Sequence, residues 1–278
     1  MSESSEIVTE VTSSDGAQVH VRSQGSGPGV VILHGAGVSA KDYRRLAERW
    51  APRLTVHRYN RRGYPDSAAI SGDASIQTDL DDLAAVLAAT GSRQVFGHSG
   101  GGFIAMRAGL SLPLDRIAVF DPAVALRGVD FPREFIEPFE AAVRRNDLPL
   151  AFALLGADVN RDSAAARLPL SVQKVIVSGF LRTPPGRQMR ELLPTIVPEL
   201  RRILAAEGPA SDYATVSAES LLTFGTRSSG YFADTCRALA AAMPNARVEP
   251  VAKASHNAAN IARPAFAEPF ADFFAAIA

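Results

Sequence analysis

Short apolar runs and longer amphipathic stretches alternate along most of this chain. Residues 7–12 and 18–23 have the alternation typical of strands and flank Asp15-Gly16, a dipeptide that favours tight turns, so they predict an opening hairpin. Residues 30–33 are apolar at every position, which is typical of a strand buried on both faces of a sheet. The chain therefore begins as a hairpin followed by an interior strand.

The alternation continues beyond this interior strand. It predicts helices over residues 40–50, 76–89 and 103–110, and strands over residues 54–59, 94–96 and 116–120. After an interruption it resumes with strands over residues 220–224 and 247–251 and helices over residues 232–242 and 265–277. Such a succession favours an α/β fold, in which helices cover a mostly parallel sheet.

The interruption is rich in proline and has no succession of strands. It contains helical patterns over residues 133–145 and 189–204. We therefore expect a helical lid over residues 123–212, inserted between two core segments formed by residues 1–122 and 213–278.

Composition narrows the classes of protein that fit. Of the 278 residues 47% are hydrophobic, which is enough for a substantial core. The 29 basic and 29 acidic residues cancel, so no basic surface for nucleic acid is expected. The amino terminus does not resemble a secretion signal. No segment approaches the roughly 20 apolar residues of a membrane span. The single cysteine, Cys236, cannot form an intramolecular disulfide. These features predict a soluble, cytoplasmic protein without a membrane contact, and they leave its oligomeric state open.

The sharpest motif is Gly97-His98-Ser99-Gly100-Gly101, a G-x-S-x-G between a predicted strand and a predicted helix. A serine on such a tight turn exposes its hydroxyl above the sheet, and its neighbours must be small because the backbone is closely packed. The motif predicts Ser99 as a nucleophile. The alternative interpretation is an ordinary glycine-rich connection.

A second glycine-rich segment, His34-Gly35-Ala36-Gly37, follows the interior strand directly. Acyl transfer develops a negative oxygen, which backbone N–H groups can stabilise. We expect one such donor after the nucleophile, at Gly100, and one in this loop, at Ala36. A plain turn is the alternative, and His34 is interpreted as fixing the loop.

A nucleophilic serine needs a base, and the chain has five histidines. His20 and His57 lie in predicted strands, His34 in the donor loop and His98 inside the serine motif. His256 follows the last predicted strand, where a loop could carry it over Ser99. Elimination therefore favours His256 as the base.

Together these motifs resemble the α/β-hydrolase fold superfamily from about residue 29 onward. The resemblance implies an eight-stranded, mostly parallel sheet with a lid after the sixth strand. It also implies a catalytic triad in the order serine, acid, histidine. Fold analogy alone does not supply a substrate.

The acid departs from the commonest pattern of the superfamily. Its usual place, in a G-x-x-D after the seventh strand, reads Gly225-Thr226-Arg227-Ser228. Asp121, in Val119-Phe120-Asp121-Pro122 at the end of the sixth strand, resembles the acid of the branch that includes zearalenone-type lactonases. Asp234 is the alternative acid, although it falls inside a predicted helix.

The pocket is less clearly marked. Gly35 and His98 are expected to border it, together with Phe135 and Phe139 of the lid. The lid phenylalanines at positions 131, 135, 139, 152 and 180 could line an apolar cavity or form the lid's own core. Residues 61–67 resemble a superfamily loop beside the pocket, and Arg201-Arg202 is interpreted as a solvated helix face.

The sequence thus predicts a serine hydrolase that cleaves an ester or lactone of a small, largely apolar molecule without a metal or organic cofactor. A serine nucleophile argues against the dehalogenases and epoxide hydrolases of this fold, which resemble it but use an aspartate. A ligand-binding pseudoenzyme remains an alternative because Ser228 replaces the usual acid. A carbon–carbon bond hydrolase, a perhydrolase and a non-hydrolytic enzyme of natural-product metabolism are also compatible with these residues.

Overall fold

The computed structural model describes residues 6–70, 75–159 and 167–276. One sheet contains the eight strands, which are β1 (Ile7–Thr12), β2 (Gln18–Gly25), β3 (Gly29–Leu33), β4 (Thr55–Tyr59), β5 (Gln94–His98), β6 (Arg116–Phe120), β7 (Glu219–Gly225) and β8 (Ala246–Val251). Their order across the sheet is β1-β2-β4-β3-β5-β6-β7-β8.

Helices cover this sheet. They are α1 (Arg44–Trp50), α2 (Ile76–Thr90), α3 (Gly100–Ala108), α4 (Ile136–Arg144), α5 (Leu148–Val159), α6 (Leu170–Phe180), α7 (Pro184–Ala205), α8 (Gly230–Ala242), α9 (Ala258–Ile261) and α10 (Pro264–Ala275), with 3₁₀ turns over Ala40–Tyr43 and Ala210–Tyr213. Within the described ranges, no helix combines the length and the apolar character that a membrane span requires.

Strand direction determines where a site can form. The six strands from β4 to β8 in the sheet order pair in parallel, whereas β2 pairs antiparallel with both β1 and β4. The carboxyl ends of β3, β5, β6, β7 and β8 therefore lie at one edge, where the loops that follow them converge. The predicted α/β architecture with an eight-stranded, mostly parallel sheet is confirmed.

Four helices, α4 to α7, lie between β6 and β7. The predicted helical segments 133–145 and 189–204 correspond to α4 and α7, while α5 and α6 had no individual prediction. Helix α7 continues through Pro194 and Pro198, although each proline removes one backbone hydrogen bond from the helix. The exact lid boundaries at residues 123 and 212 stay a prediction.

Helix α3 begins at Gly100, three residues before the predicted start. Glycine has a poor intrinsic helix propensity, so the periodic signal starts only at Phe103. Here the packing of the folded chain outweighs helix propensity, because α3 starts directly after Ser99, at closely packed glycines. The predicted closing helix ends at Ala275, and residue 277 lies outside the described residues.

Hydrophobic cores flank the sheet. One contains Trp50, Phe96, Phe270 and Phe274, and the Trp50 indole donates a hydrogen bond of 2.8 Å to the Ala267 carbonyl. This contact fixes α10 against α1. The other core joins the inner strands to lid residues, including α4 and α7 side chains. The lid therefore shares a continuous apolar core with the sheet, where each fully buried large side chain contributes about 1.5–3 kcal/mol.

Candidate active site

Ser99 lies between β5 and α3 with φ of 54° and ψ of −119°. A residue other than glycine rarely adopts positive φ, and such strain is typical of functional sites. The backbone is so closely packed here that a Cβ on Gly97 would lie 2.5 Å from the Gly101 carbonyl oxygen. The glycines of the motif therefore permit the sharp turn that carries the serine.

Asp121 follows β6 and is completely buried, with φ of 47°. Its Oδ1 accepts a hydrogen bond of 2.9 Å from the Gly225 N–H. Its Oδ2 accepts a hydrogen bond of 2.6 Å from the Ser228 hydroxyl and lies 3.0 Å from Nδ1 of His256. A buried carboxylate with three such neighbours is well stabilised.

His256 comes from the loop between β8 and α9. Its ring stacks on Phe232, with the ring centroids 4.9 Å apart and the planes 14° apart. Because the Asp121 carboxylate accepts at Nδ1, the neutral ring carries its proton there and has its acceptor at Nε2. This is the tautomer that a general base requires. Ser99 and His256 line the same cavity.

Asp234, the alternative acid, lies on α8 with an exposed side chain and pairs with Arg237 at 3.0 Å. The acid in contact with His256 is Asp121. Ser228 occupies the usual sequence position of the acid, and here it donates to that acid instead.

The loop after β3 has hydrogen-bonded N–H groups on both sides of Ala36. The Gly35 N–H donates to the Tyr43 hydroxyl at 3.0 Å, and the Gly37 N–H donates to the Tyr64 hydroxyl at 3.2 Å. The Ala36 N–H between them, like that of Gly100, has no hydrogen-bond acceptor among the described residues. These two N–H groups are thus available to a bound oxygen.

Two buried histidines support this edge of the sheet. His34 accepts the Arg61 N–H at Nε2, at 3.1 Å, and contacts the Gly35 carbonyl through Nδ1 at 2.8 Å. His98 contacts the Tyr43 hydroxyl through Nδ1 at 2.6 Å. Burial lowers the pKa of both rings well below the usual value of 6.5, and the neighbouring Arg61 and His256, respectively, lower it further. Both histidines are therefore neutral and shape the site.

The cavity at this edge has a volume of about 190 Å³ and a largely apolar lining. Gly35, His98 and Phe135 border it as predicted, as do Phe131 and Phe152. The other two phenylalanines of the predicted set lie elsewhere. Phe139 is completely buried in the core against Phe135, and Phe180 packs on Phe152 with 37% of its surface exposed.

One polar side chain of the cavity has no motif in the sequence. Glu199 on α7 is buried and lines the cavity. Its Oε2 accepts a hydrogen bond of 2.7 Å from Arg61, and its Oε1 accepts one from the Tyr64 hydroxyl. The partners come from a loop 135 and 138 residues earlier in the chain, and no local pattern links them.

The same cluster corrects the interpretation of Arg201-Arg202. Arg202 is half-buried and donates to Asp79 at 3.0 Å, and Asp79 lies 3.8 Å from Arg61. Arg201 is exposed and pairs with Glu140, as a solvated face requires. A row of alternating charges therefore links the lid helix α7 to the core. Glu199 and Arg202 belong to α7, and Arg61 and Asp79 belong to the core.

Among the described residues, no three metal-binding side chains are grouped closely enough to hold an ion. The polar groups at the cavity include those that acyl-transfer chemistry uses, namely a hydroxyl, an imidazole paired with a carboxylate, and two backbone N–H donors.

Comparison with known proteins agrees with the fold. An alpha/beta hydrolase from Sphaerobacter thermophilus DSM 20745 has 27% identity and a TM-score of 0.77, covering 96% of this chain and 100% of that one. An esterase from Exiguobacterium antarcticum has 17% identity and a TM-score of 0.69, covering 97% and 100%. At this identity the second likeness shows the fold alone.

The uncharacterized hydrolase YraK of Bacillus subtilis (strain 168) is 33% identical over 95 residues, which are 33% of this chain and 35% of that protein. The chain thus spans about a third of that relative. The model of the "Alpha/beta hydrolase family" matches residues 30–275. This chain therefore belongs to the alpha/beta hydrolase family.

Proposed function

We propose that the chain is a serine hydrolase that cleaves an ester or lactone bond of a small, largely apolar molecule. The observation that carries the proposal is the 3.0 Å contact between His256 Nδ1 and the buried Asp121 carboxylate, beside the cavity that Ser99 also lines.

In this mechanism the Ser99 Oγ attacks the substrate carbonyl carbon while His256 Nε2 accepts the hydroxyl proton. The carbonyl oxygen becomes negative and is bound by the Ala36 and Gly100 N–H groups, each of which contributes roughly 3–4 kcal/mol to the transition state. His256 then gives its proton to the leaving alcohol, and an acyl-Ser99 ester remains. Asp121 holds the imidazole tautomer and stabilises its charged form throughout.

Water completes the cycle. His256 accepts a proton from the water molecule, whose oxygen attacks the acyl carbon. The second tetrahedral species collapses and releases the acid, while His256 returns its proton to Ser99 Oγ. For a lactone, the leaving alcohol and the acid belong to one molecule, so the product is an open hydroxy acid.

Cavity size and chemistry support a small substrate. A cavity of roughly 150 Å³ can hold one benzene ring, and about 190 Å³ is available here. The acid after the sixth strand resembles that of zearalenone-type lactonases, which supports including lactones. We also propose a cytoplasmic location without nucleic acid, membrane or cofactor partners. The buried, unpaired Cys236 supports a reducing compartment.

A receptor-like role depends mainly on the serine at position 228. The absence of an acid at position 228 would favour a receptor only if His256 had no carboxylate to orient it. Asp121, which follows another strand, contacts the imidazole, so this argument for a receptor is weakened.

Labelling with a fluorophosphonate tests the function. We expect rapid modification with one label per chain, located at Ser99 by peptide mass spectrometry, and turnover of 4-nitrophenyl butyrate. Ser99→Ala should lose both, while the exposed-serine control Ser111→Ala keeps them. An unlabelled Ser99 in folded protein, or hydrolysis that survives Ser99→Ala, would contradict the proposal.

A further inference from the structure

Glu199 brings a carboxylate close to the two proposed oxyanion donors. A Cβ built on Gly100 would lie 3.1 Å from the Glu199 Oε2 and 3.6 Å from the Ala36 nitrogen. Gly100 and Ala36 are the two proposed oxyanion donors. A substrate whose carbonyl oxygen binds to both therefore has Glu199 as an immediate neighbour.

This carboxylate keeps capacity for a ligand. An ionised carboxylate accepts about four hydrogen bonds. Arg61 and the Tyr64 hydroxyl each use one position, on different oxygens. Arg61 also stabilises the negative charge, which would otherwise be costly in a buried site. Glu199 can thus accept a further hydrogen bond from a group in the cavity.

Among the described residues, the aspartate and glutamate side chains of the cavity lining have no lysine or arginine beside them in that lining. These acidic side chains are Glu199 and Asp158. Arg61 contacts Glu199 but is not itself part of the lining. A negative group on the substrate would therefore meet like charge in an apolar cavity, where repulsion is weakly screened.

We infer that Glu199 is a specificity-determining residue that selects acyl groups with a hydrogen-bond donor on the atom next to the scissile carbonyl and rejects acyl groups with a carboxylate there. The inference rests on the proposed hydrolase function and names its substrate class. These are small 2-hydroxy or 2-amino esters and lactones, whose donor reaches Glu199 when the carbonyl oxygen occupies the oxyanion site.

Four 4-nitrophenyl propanoates that differ only at carbon 2 test the inference. They carry a methyl, hydroxyl, ammonium or carboxylate group, and each kcat/KM is divided by the rate constant for hydroxide hydrolysis. For the natural chain we expect the hydroxyl ester to exceed the methyl ester by about 10-fold, as a hydrogen bond to a charged group predicts. The carboxylate ester should fall about 100-fold below the methyl ester. The ammonium ester also carries a donor and should likewise exceed the methyl ester by at least about 10-fold, and an ammonium ester slower than the methyl ester would contradict the inference.

Glu199→Gln keeps the acceptor oxygen and the shape but removes the charge. We expect the hydroxyl-to-methyl ratio to fall to about 3 or less and the carboxylate ester to regain about 10-fold relative to the methyl ester. Ratios within one variant cancel a general loss of activity, so a merely structural role would leave them unchanged. Glu140→Gln, which alters the lid carboxylate paired with exposed Arg201, is the control and should keep the natural ratios.

Equal rates of the four esters in the natural chain would overturn the inference even if Glu199→Gln failed to fold, and so would natural ratios in a folded Glu199→Gln. Failure of the proposed function has a different signature. In that case no ester is hydrolysed, Ser99 is not labelled, and the inference falls with the function.

Discussion

The hydroxyl of Ser228 lies 2.6 Å from the Oδ2 of Asp121 and donates a hydrogen bond to it. Ser228 stands where most members of the superfamily are expected to carry their acid, and Asp121 follows the neighbouring strand. The loop that follows β7 therefore supplies a hydrogen-bond donor to the proposed acid on the loop that follows β6.

Asp121→Asn tests the role of the acid. An amide cannot hold the imidazole in the required tautomer, so we expect kcat to fall by about 10⁴-fold, as in the serine protease triad. The control is Asp234→Asn on the exposed face of α8, which should leave kcat within about twofold. Comparable losses in both variants would contradict the assignment of Asp121.

An exchange of the two side chains is a stricter test. Asp121→Ser alone should lose activity as Asp121→Asn does. Adding Ser228→Asp puts a carboxylate on the side chain whose hydroxyl contacts Asp121 in the natural chain, so the double variant should regain at least about 10-fold in kcat. Ser228→Asp alone should lose stability, because two buried carboxylates would then be adjacent. A double variant no more active than Asp121→Ser would show that the two positions are not equivalent.

Ser99 and His256 were predictable as candidate site residues because each is marked in the sequence by a rule that requires no knowledge of the packing. A small-residue turn between a strand and a helix singles out Ser99, and chain order singles out His256. Asp121 was predictable only with Asp234 left as an alternative, because the choice depends on which loop reaches His256. Glu199 gave no signal, since the face that a lid helix turns toward the cavity depends on packing with Arg61 and other residues far away in sequence.

Close packing predicts the consequence of substitutions in the serine motif. In Gly97→Ala the new Cβ would lie 2.5 Å from the Gly101 carbonyl oxygen and 2.7 Å from the Gly102 Cα. We expect the free energy of unfolding to fall by about 3 kcal/mol, measured by urea denaturation. Gly179→Ala is the comparison, because its Cβ would meet no atom within 4 Å in helix α6. It should stabilise the protein by about 0.5–1 kcal/mol, and equal effects would contradict this account.

Three buried histidines predict how stability depends on pH. Burial lowers the pKa of His57 to about 4 and keeps the pKa values of His34 and His98 well below 6.5. Between pH 6.5 and pH 4 the unfolded chain binds protons that the folded chain does not. Stability is therefore complete above pH 6.5 and is lost as the pH falls, by about 1.4 kcal/mol per pH unit for each ring.

Urea unfolding at pH 7, 6 and 5 measures this slope. His57→Asn should reduce it by about one proton between pH 6 and 5, whereas Ser111→Ala on the surface, which removes no titrating group, should not change it. A free energy of unfolding that stays constant from pH 7 to 5 would contradict the prediction.

The left-handed backbone at Ser99, with φ of 54°, also bears on evolution and engineering. Glycine adopts this conformation at no steric cost, so Ser99→Gly should tolerate more heat than the natural chain while being inert. Selection for a nucleophile therefore favours serine at this position, whereas selection for stability favours glycine. A screen that rewards thermal tolerance alone will enrich inactive variants.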